Sequence, residues 1–272
     1  MNILLLLKND DRDQFITDYT EKKLTALGVK IHLLNTINVS GDIPVQPNGK
    51  VLDFCTEFDL SGYLKEAKTN EKYLKTIADE RIVERHSIPG NSMAIIAHYV
   101  RENKIDVVIG GAHATSAMED IFVNTFASRV LEHINVPYLT LKCDQSYSEL
   151  KRIAIFRDFK NPKRENLKLV QQLAAENNSK VYLVKIKTAD ELLDTEKLLE
   201  QMANFSRLNG IEAQCEIVIS DNKETAIKAF VEEKEIDLIA LGHFKEKGLL
   251  TFMAGDVKTD IVNHIYSPIL IY

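Results

Sequence analysis

Short apolar runs alternate with stretches of helical periodicity along this chain. The opening run 3–7 stops abruptly at Lys8-Asn9-Asp10-Asp11-Arg12 and reads as a buried strand. In the second half, runs at 153–156, 181–186, 213–219, 237–242 and 268–272 read as strands. Between them lie helical patterns. Leu167, Val170, Leu173 and Ala174 share one helical face, and Asn161-Pro162 ahead of them has the form of an N-cap followed by proline at the first helical position. Further helices are predicted over 190–208, through Phe230, and from near Asp256. Strands alternating with helices imply parallel sheets covered on both faces, with ligands bound at the carboxyl ends of the strands.

The pattern also repeats. Lys104-Ile105-Asp106-Val107-Val108-Ile109-Gly110-Gly111 matches Glu235-Ile236-Asp237-Leu238-Ile239-Ala240-Leu241-Gly242 at a spacing of 131 residues. His133-Ile134-Asn135-Val136-Pro137 matches His264-Ile265-Tyr266-Ser267-Pro268 at the same spacing of 131, so the chain is a tandem duplication. Ile96, Tyr99 and Val100 fall on Ile227, Phe230 and Val231, each trio at helical spacing. Asp221 with Glu224 predicts a capping box for the second of these helices. Nearer the start of each copy the spacing is 150, with 3–7 matching 153–157, so the first copy carries extra residues. They fall in 38–59, where Gly41, Pro44, Pro47 and Gly49 mark a loop. The expected domains are 1–143, with its insertion near 38–59, and 150–272; the linker is 143–149.

Composition narrows the class. Of 272 residues, 45% are hydrophobic and 27% charged, which suits a folded domain and excludes a disordered chain. Lysine plus arginine is 34 against 40 acidic residues, a net charge of −6, so no nucleic-acid partner is expected. The apolar runs are too short to span a membrane, and the first lacks a basic flank, so neither a membrane partner nor a signal peptide is expected and the chain reads as cytoplasmic. Cys55, Cys143 and Cys215 form no C-x-x-C pair, and the seven histidines form no H-x-x-x-H pattern, so no disulfide framework and no metal site is expected. There is no nucleophile elbow, complete P-loop or paired-carboxylate spacing, and no catalytic residue is named.

A duplicated five-strand unit, Ile-Asp before the fourth strand, a glycine after it and a proline in the last strand resemble the universal stress protein family over nearly the whole chain. The resemblance implies an α/β fold of two tandem doubly wound five-stranded parallel-sheet domains, the adenine-nucleotide α-hydrolase-like arrangement. ATP-binding members of that family carry G-x-x-G-x9-G-[S/T] after the fourth strand and an aspartate at the end of the first. Glycines let backbone approach phosphate, and the final hydroxyl opens a helix whose N–H groups attract anions. In the first copy the corresponding positions are Gly111, Ala114, Asn124 and Thr125, with His113 where the family often has histidine. In the second they are Gly242, Lys245, Gly255 and Asp256. The first-strand aspartate position is Lys8 in copy one and Asp158 in copy two, so neither copy is complete. Asp256 suits a helix cap better than a phosphate neighbour. His133 and His264 recur near helix ends, where histidine satisfies terminal carbonyls.

The expected function is that of a tandem universal stress protein, regulatory in a stress response, with degenerate nucleotide-binding motifs and an unidentified protein partner. Three alternatives stay open: a switch that binds ATP or AMP with Mg²⁺ in one copy, a slow ATPase or small-ligand hydrolase, and a ligand-free scaffold using the 38–59 insertion. In the family, domains associate through their last strands. Residues 137–141 and 268–272 are the candidate contact strands, making the chain an intramolecular pseudo-dimer, with a further homodimer as an additional state.

Overall fold

The computed structural model describes residues 1–39, 46, 48–51, 60–112, 126–142, 149–191, 194–242 and 267–272. In the first half these form β1 (Asn2–Leu6), α1 (Arg12–Leu24), β2 (Lys30–Asn38), α2 (Ser61–Thr76), β3 (Ile82–Gly90), α3 (Ser92–Glu102), β4 (Val107–Ala112), α4 (Phe126–His133) and β5 (Tyr138–Lys142). The second half supplies β6 (Arg152–Phe156), α5 (Lys168–Asn177), β7 (Lys180–Lys187), α6 (Thr195–Leu208), β8 (Gln214–Ile219), α7 (Lys223–Lys234), β9 (Leu238–Leu241) and β10 (Ile269–Ile271). By internal contacts the chain divides into two compact units, one built on Met1–Gly111 and Arg129–Tyr138, the other on Leu139–Tyr272.

In the first unit the strands run in the order β3-β2-β1-β4, with parallel pairing throughout. In the second the order is β10-β9-β6-β7-β8, again parallel. In each unit the chain starts in the middle of the sheet, winds outward in one direction, then crosses to the other side. The crevice of such a sheet lies at that crossing, between β1 and β4 or between β6 and β9. Strands β1 and β6 are apolar on both faces because helices cover both: Ile3, Leu4, Ile153, Ala154, Ile155 and Phe156 are fully buried.

The duplication is legible in the pairing itself. Asn2 pairs with Lys30 as Arg152 pairs with Lys180, a spacing of 150 on both strands. Ile3 pairs with Val107 as Ile153 pairs with Leu238, combining the spacings of 150 and 131. The Ile-Asp motif serves one purpose in both copies. The Asp106 carboxylate accepts the Asn2 amide at 2.7 Å, while its own amide donates to Asn2 carbonyl at 2.8 Å. Asp237 holds Lys151 and Arg152 amides at 2.9 and 2.8 Å, and its amide returns to Arg152 carbonyl at 2.8 Å. The aspartate therefore ties the start of the fourth strand to the start of the first. The proline does similar work: Val108 and Ile239 amides donate to the carbonyls of Pro137 and Pro268 at 2.9 and 3.0 Å.

Three local readings of the sequence are corrected. The cap of α7 is Asn222, one residue after the predicted Asp221; its Oδ1 accepts the Thr225 amide at 2.9 Å, as Asn91 caps α3 through Ala94. The helix predicted from 190 begins at Thr195, capped by Asp194. Asn161-Pro162 opens no helix, and α5 starts at Lys168. The cause is tertiary. Arg157 is buried, pairs with Glu165, donates to Asn161 carbonyl at 3.3 Å and lies 4.8 Å from the Phe205 ring centre. Asn209 adds to this, accepting the Glu165 amide at 2.8 Å and donating to Lys163 carbonyl at 2.9 Å. A segment held at these points by tertiary bonds is not available to helix. His133 does cap its helix, its Nδ1 lying 2.7 Å from Arg129 carbonyl, and His264 lies outside the described residues.

A buried histidine in the first unit gives a pH dependence. His32 on β2 meets the Tyr99 hydroxyl at 3.1 Å, with Glu84 and His86 from β3 and Lys30 from its own strand nearby. Burial lowers the His32 pKa below 6.5, opposed by Glu84 and aided by His86 and Lys30. The unfolded chain then takes up the proton first as pH falls. This contribution to stability is constant above pH 6.5 and declines as pH drops from there toward the folded-state pKa. We expect His32→Gln to reduce the loss of melting temperature between about pH 7.5 and about pH 5, measured by thermal unfolding of both proteins. An unchanged difference would show that His32 does not contribute to it.

Among the described residues, no helix is long and apolar enough to cross a membrane, and no three histidine, cysteine or acidic side chains converge as a metal site. Cys215 is a half-exposed free thiol; Cys55 and Cys143 lie outside the described residues.

Candidate functional site

The carboxyl ends of the strands carry a polar cluster in each unit, and the two clusters differ in chemistry. In the first, the chain leaves β1 through Leu7 and Lys8. The Asp13 carboxylate accepts the amides of Lys8 at 3.0 Å and Asn9 at 2.7 Å, and the Tyr73 hydroxyl also donates to it. Burial raises the Asp13 pKa despite these donors, and lowers that of the Lys8 ammonium, where Arg12 adds repulsion. Asn9 sits in the left-handed region at φ 59°. That conformation suits asparagine better than most residues and aims its side chain at α2.

From Asn9 a chain of neutral side chains crosses the edge. Asn9 Nδ2 donates to Asn70 Oδ1 at 3.0 Å, and Asn70 Nδ2 donates to Asn35 Oδ1 at 3.0 Å. The Ser87 hydroxyl donates to the same Asn35 oxygen at 2.8 Å, and Asn35 Nδ2 reaches Leu7 carbonyl at 3.0 Å. Asn35, Asn70 and Ser87 are all buried. Neutral amides bury at lower cost than ions because they carry no net charge to desolvate, and here each is hydrogen-bonded. The end of β1, β2, β3 and α2 are thereby joined through their own side chains.

In the second unit the residue 150 positions after Asn35 is Lys185, equally buried on β7. Its ammonium lies 3.5 Å from Asp158 and 3.4 Å from Glu191. Lys160 approaches the same two carboxylates at 3.7 and 3.6 Å, closing a ring of alternating charge. A buried ammonium is tolerable only when paired in this way. Lys223 stands beside the ring. Its pKa is lowered first by burial and next by Lys185, against the attraction of Asp158 and Glu191. Gln201, 131 positions after Asn70, donates to Lys160 carbonyl at 3.3 Å, so α6 closes this corner as α2 closes the other.

Three of the expected site residues lie among the described residues. Asp158 follows β6 as expected, engaged by Lys160 and Lys185. Gly111, the penultimate residue of β4, lies against the start of α1, where a Cβ would lie 3.3 Å from Arg12 Cβ and 3.5 Å from Ile16 Cδ1. Helix packing alone thus favours a small residue there. Gly242 follows β9 and donates its amide to Phe156 carbonyl at 3.4 Å. His113, Asn124, Thr125, Lys245, Gly255 and Asp256 lie outside the described residues. The sequence reading did not single out Asn35, Asn70, Ser87, Lys160, Lys185 or Glu191. Asn35 and Lys185 had a signal: each is a polar residue inside a strand run, at matching positions of the repeat.

Comparison with known proteins supplies the remaining constraint. Residues 2–142 and residues 150–272 each match the universal stress protein family. A universal stress protein of Archaeoglobus fulgidus superposes with a TM-score of 0.67 at 16% identity, over 99% of this chain and 95% of that one. A protein of unknown function from Pseudomonas aeruginosa PAO1 gives 0.60 at 14% identity, over 99% and 91%. At these identities the structures attest the fold alone. A search of curated protein sequences returns no match.

Proposed function

The chain belongs to the universal stress protein family through both halves, and on that premise we propose that it is a regulatory stress-response protein that acts by binding a protein partner, with neither copy using an adenine nucleotide. One observation supports the reading: beside the crevice of each sheet, the protein's own side chains already engage the polar groups at the carboxyl end of the first strand. In copy two a nucleotide has to compete with Lys185 and Lys160 for Asp158. In copy one the equivalent position is Lys8, and the corner is closed by Asn9, Asn35, Asn70 and Ser87. Drawing Asp158 away leaves the buried Lys185 ammonium with Glu191 as its remaining partner, which opposes a ligand that recruits Asp158 alone.

The test is thermal unfolding with ATP, ADP and AMP, each with and without Mg²⁺. A ligand at a hundred times its dissociation constant adds about 2.7 kcal/mol of stability, several degrees for units of this size. No shift at millimolar nucleotide is expected. A shift overturns the reading in favour of a nucleotide switch. Its loss in Asp158→Ala would assign the site to copy two, and its loss in Thr125→Asp to copy one.

A further inference from the structure

The two units end differently at their outer strands. In the first, β3 is the last strand, and Val39 amide donates to Gly90 carbonyl at 3.0 Å. In a parallel pair, alternate residues turn both backbone groups to the neighbouring strand. Gly90, Ile88 and His86 therefore face β2, while Pro89, Ser87 and Arg85 face outward. Pro89 has no N–H to offer there. The turn at 48–50 covers the end of this edge, through the Lys50–Gly90 bridge and the Asn91 amide's bond to Gly49 carbonyl at 2.9 Å. Proline and a covering loop are two devices by which proteins block a free edge.

Neither device is present on β8. Ser220 amide donates to Lys187 carbonyl at 2.9 Å, continuing the pairing with β7, so Gln214, Glu216 and Val218 face β7. Cys215, Ile217 and Ile219 thus direct their N–H and C=O groups away from the sheet. β8 pairs with β7 alone, and among the described residues no other backbone group bonds to those three. Their side chains are apolar and share one face. Cys215 and Ile217 are half-exposed, and Ile219 is 64% exposed, more than any other large apolar side chain described. An apolar edge with outward hydrogen-bonding groups is a template for a further strand.

This edge is complementary to itself. The outward residues are symmetric about Ile217, and a twofold axis there pairs 214–220 antiparallel with the same segment of a second molecule. Ile217 then lies opposite Ile217 and Cys215 opposite Ile219, so each outward N–H and C=O meets its counterpart. On the other face Glu216 lies opposite Val218 and Gln214 opposite Ser220. An axis through Glu216 sets two carboxylates directly against each other, which is unfavourable, and one through Val218 shortens the pairing. We propose that β8 joins a second molecule of this chain, edge to edge and in the register centred on Ile217. The apolar pairs and the displaced Glu216 carboxylates favour this chain over an arbitrary strand, and the twofold contact closes on itself.

The experiment is sedimentation of the full chain over a wide range of concentration, joined to cysteine cross-linking. A reversible rise from the monomer to twice its mass is expected. Ile217→Lys sets two ammonium groups opposite each other and should weaken association at least about tenfold. Ile217→Pro removes an N–H that β7 does not use and should abolish association. The melt of dilute protein checks that both variants fold. The register is read in a Cys55→Ser, Cys143→Ser background. Hydrogen-bonded opposite residues stand about 5.5 Å apart at Cα, within disulfide reach. Under mild oxidation Ile219→Cys should give a covalent dimer through Cys215, whereas Val218→Cys, on the other face, should not. Positions 215 and 219 of one strand lie about 13 Å apart and cannot bridge within a molecule. A chain that is monomeric at every concentration, association unchanged in Ile217→Lys, or equal cross-linking of the two cysteine variants overturns the proposal. So does a monomer that binds a synthetic extended apolar peptide and loses it in Ile217→Lys, which makes the occupant a strand of another protein.

Discussion

Replacing Arg157 with alanine is expected to cost the second unit about 3–5 kcal/mol and to lower its melting midpoint by about 10 °C or more. Arg157 is among the largest fully buried side chains of the protein. It pairs with Glu165, lies against Phe205, and bonds the carbonyls of Asp158 and Asn161 at 3.3 Å each. Truncation leaves Glu165, itself mostly buried, without its counter-charge, and leaves a cavity beside Phe205. The desolvated carboxylate is the larger part of the loss, because removing one partner of a buried pair costs more than the pair contributes.

That division is measurable. At the position matching Arg157, copy one has Leu7. Arg157→Leu should fill most of the cavity yet still strand Glu165, whereas Arg157→Leu with Glu165→Gln should recover a large share of the loss. Urea or thermal unfolding of the three variants closes the cycle. A loss below about 1 kcal/mol for Arg157→Ala would place the pair with solvent-exposed ion pairs. It would leave Asn209 as what holds the 158–167 segment out of helix.

The same segment shows what a sequence conveys and what it withholds. Asn161-Pro162 is a sound local signal for a helix start, but the residue that overrides it, Arg157, acts through Glu165 and Phe205, and only folding brings these together. Asp221 and Glu224 likewise fit a capping box, while Asn222 one step later takes the cap because the backbone there places its oxygen over Thr225. Strands and repeat were legible because they depend on periodicity, and a register of 150 and 131 positions survives in the hydrogen-bonded pairs. The corners were half legible. Asp158 was visible by position, but its engagement by Lys185, which it shares with Glu191, depends on how β7 and the loop after it approach the end of β6. Asn35 and Lys185 each interrupt an apolar strand at the same place, and a polar residue on a strand buried on both faces has to find partners.

The insertion of the first copy leads to the other large effect: Gly90→Ala is expected to destabilise the first unit by about 3 kcal/mol. Gly90 ends β3 at φ 147°, a conformation that L residues rarely adopt. A Cβ there would lie 1.9 Å from Gly49 carbonyl oxygen, a backbone atom that no rotamer change can move. Gly49 is itself at φ 85°, and its carbonyl accepts the Asn91 amide at 2.9 Å, at the cap of α3. Lys50 forms an antiparallel bridge with Gly90, and Val39 amide donates to Gly90 carbonyl at 3.0 Å. Alanine therefore either displaces residues 48–50 or strains the entry to α3. Thermal unfolding should show the loss, and hydrogen exchange should show faster exchange at the Val39 and Asn91 amides. Gly62→Ala is the control with opposite sign: nothing lies within 4 Å of its Cβ, and on α2 alanine should add about 0.5–1 kcal/mol. Equal small effects at both glycines would mean that the turn is not docked on β3. Copy two supports the assignment, for the position matching Gly90 is Asp221, which is not among the positive-φ residues. A glycine is required only in the copy that carries the insertion.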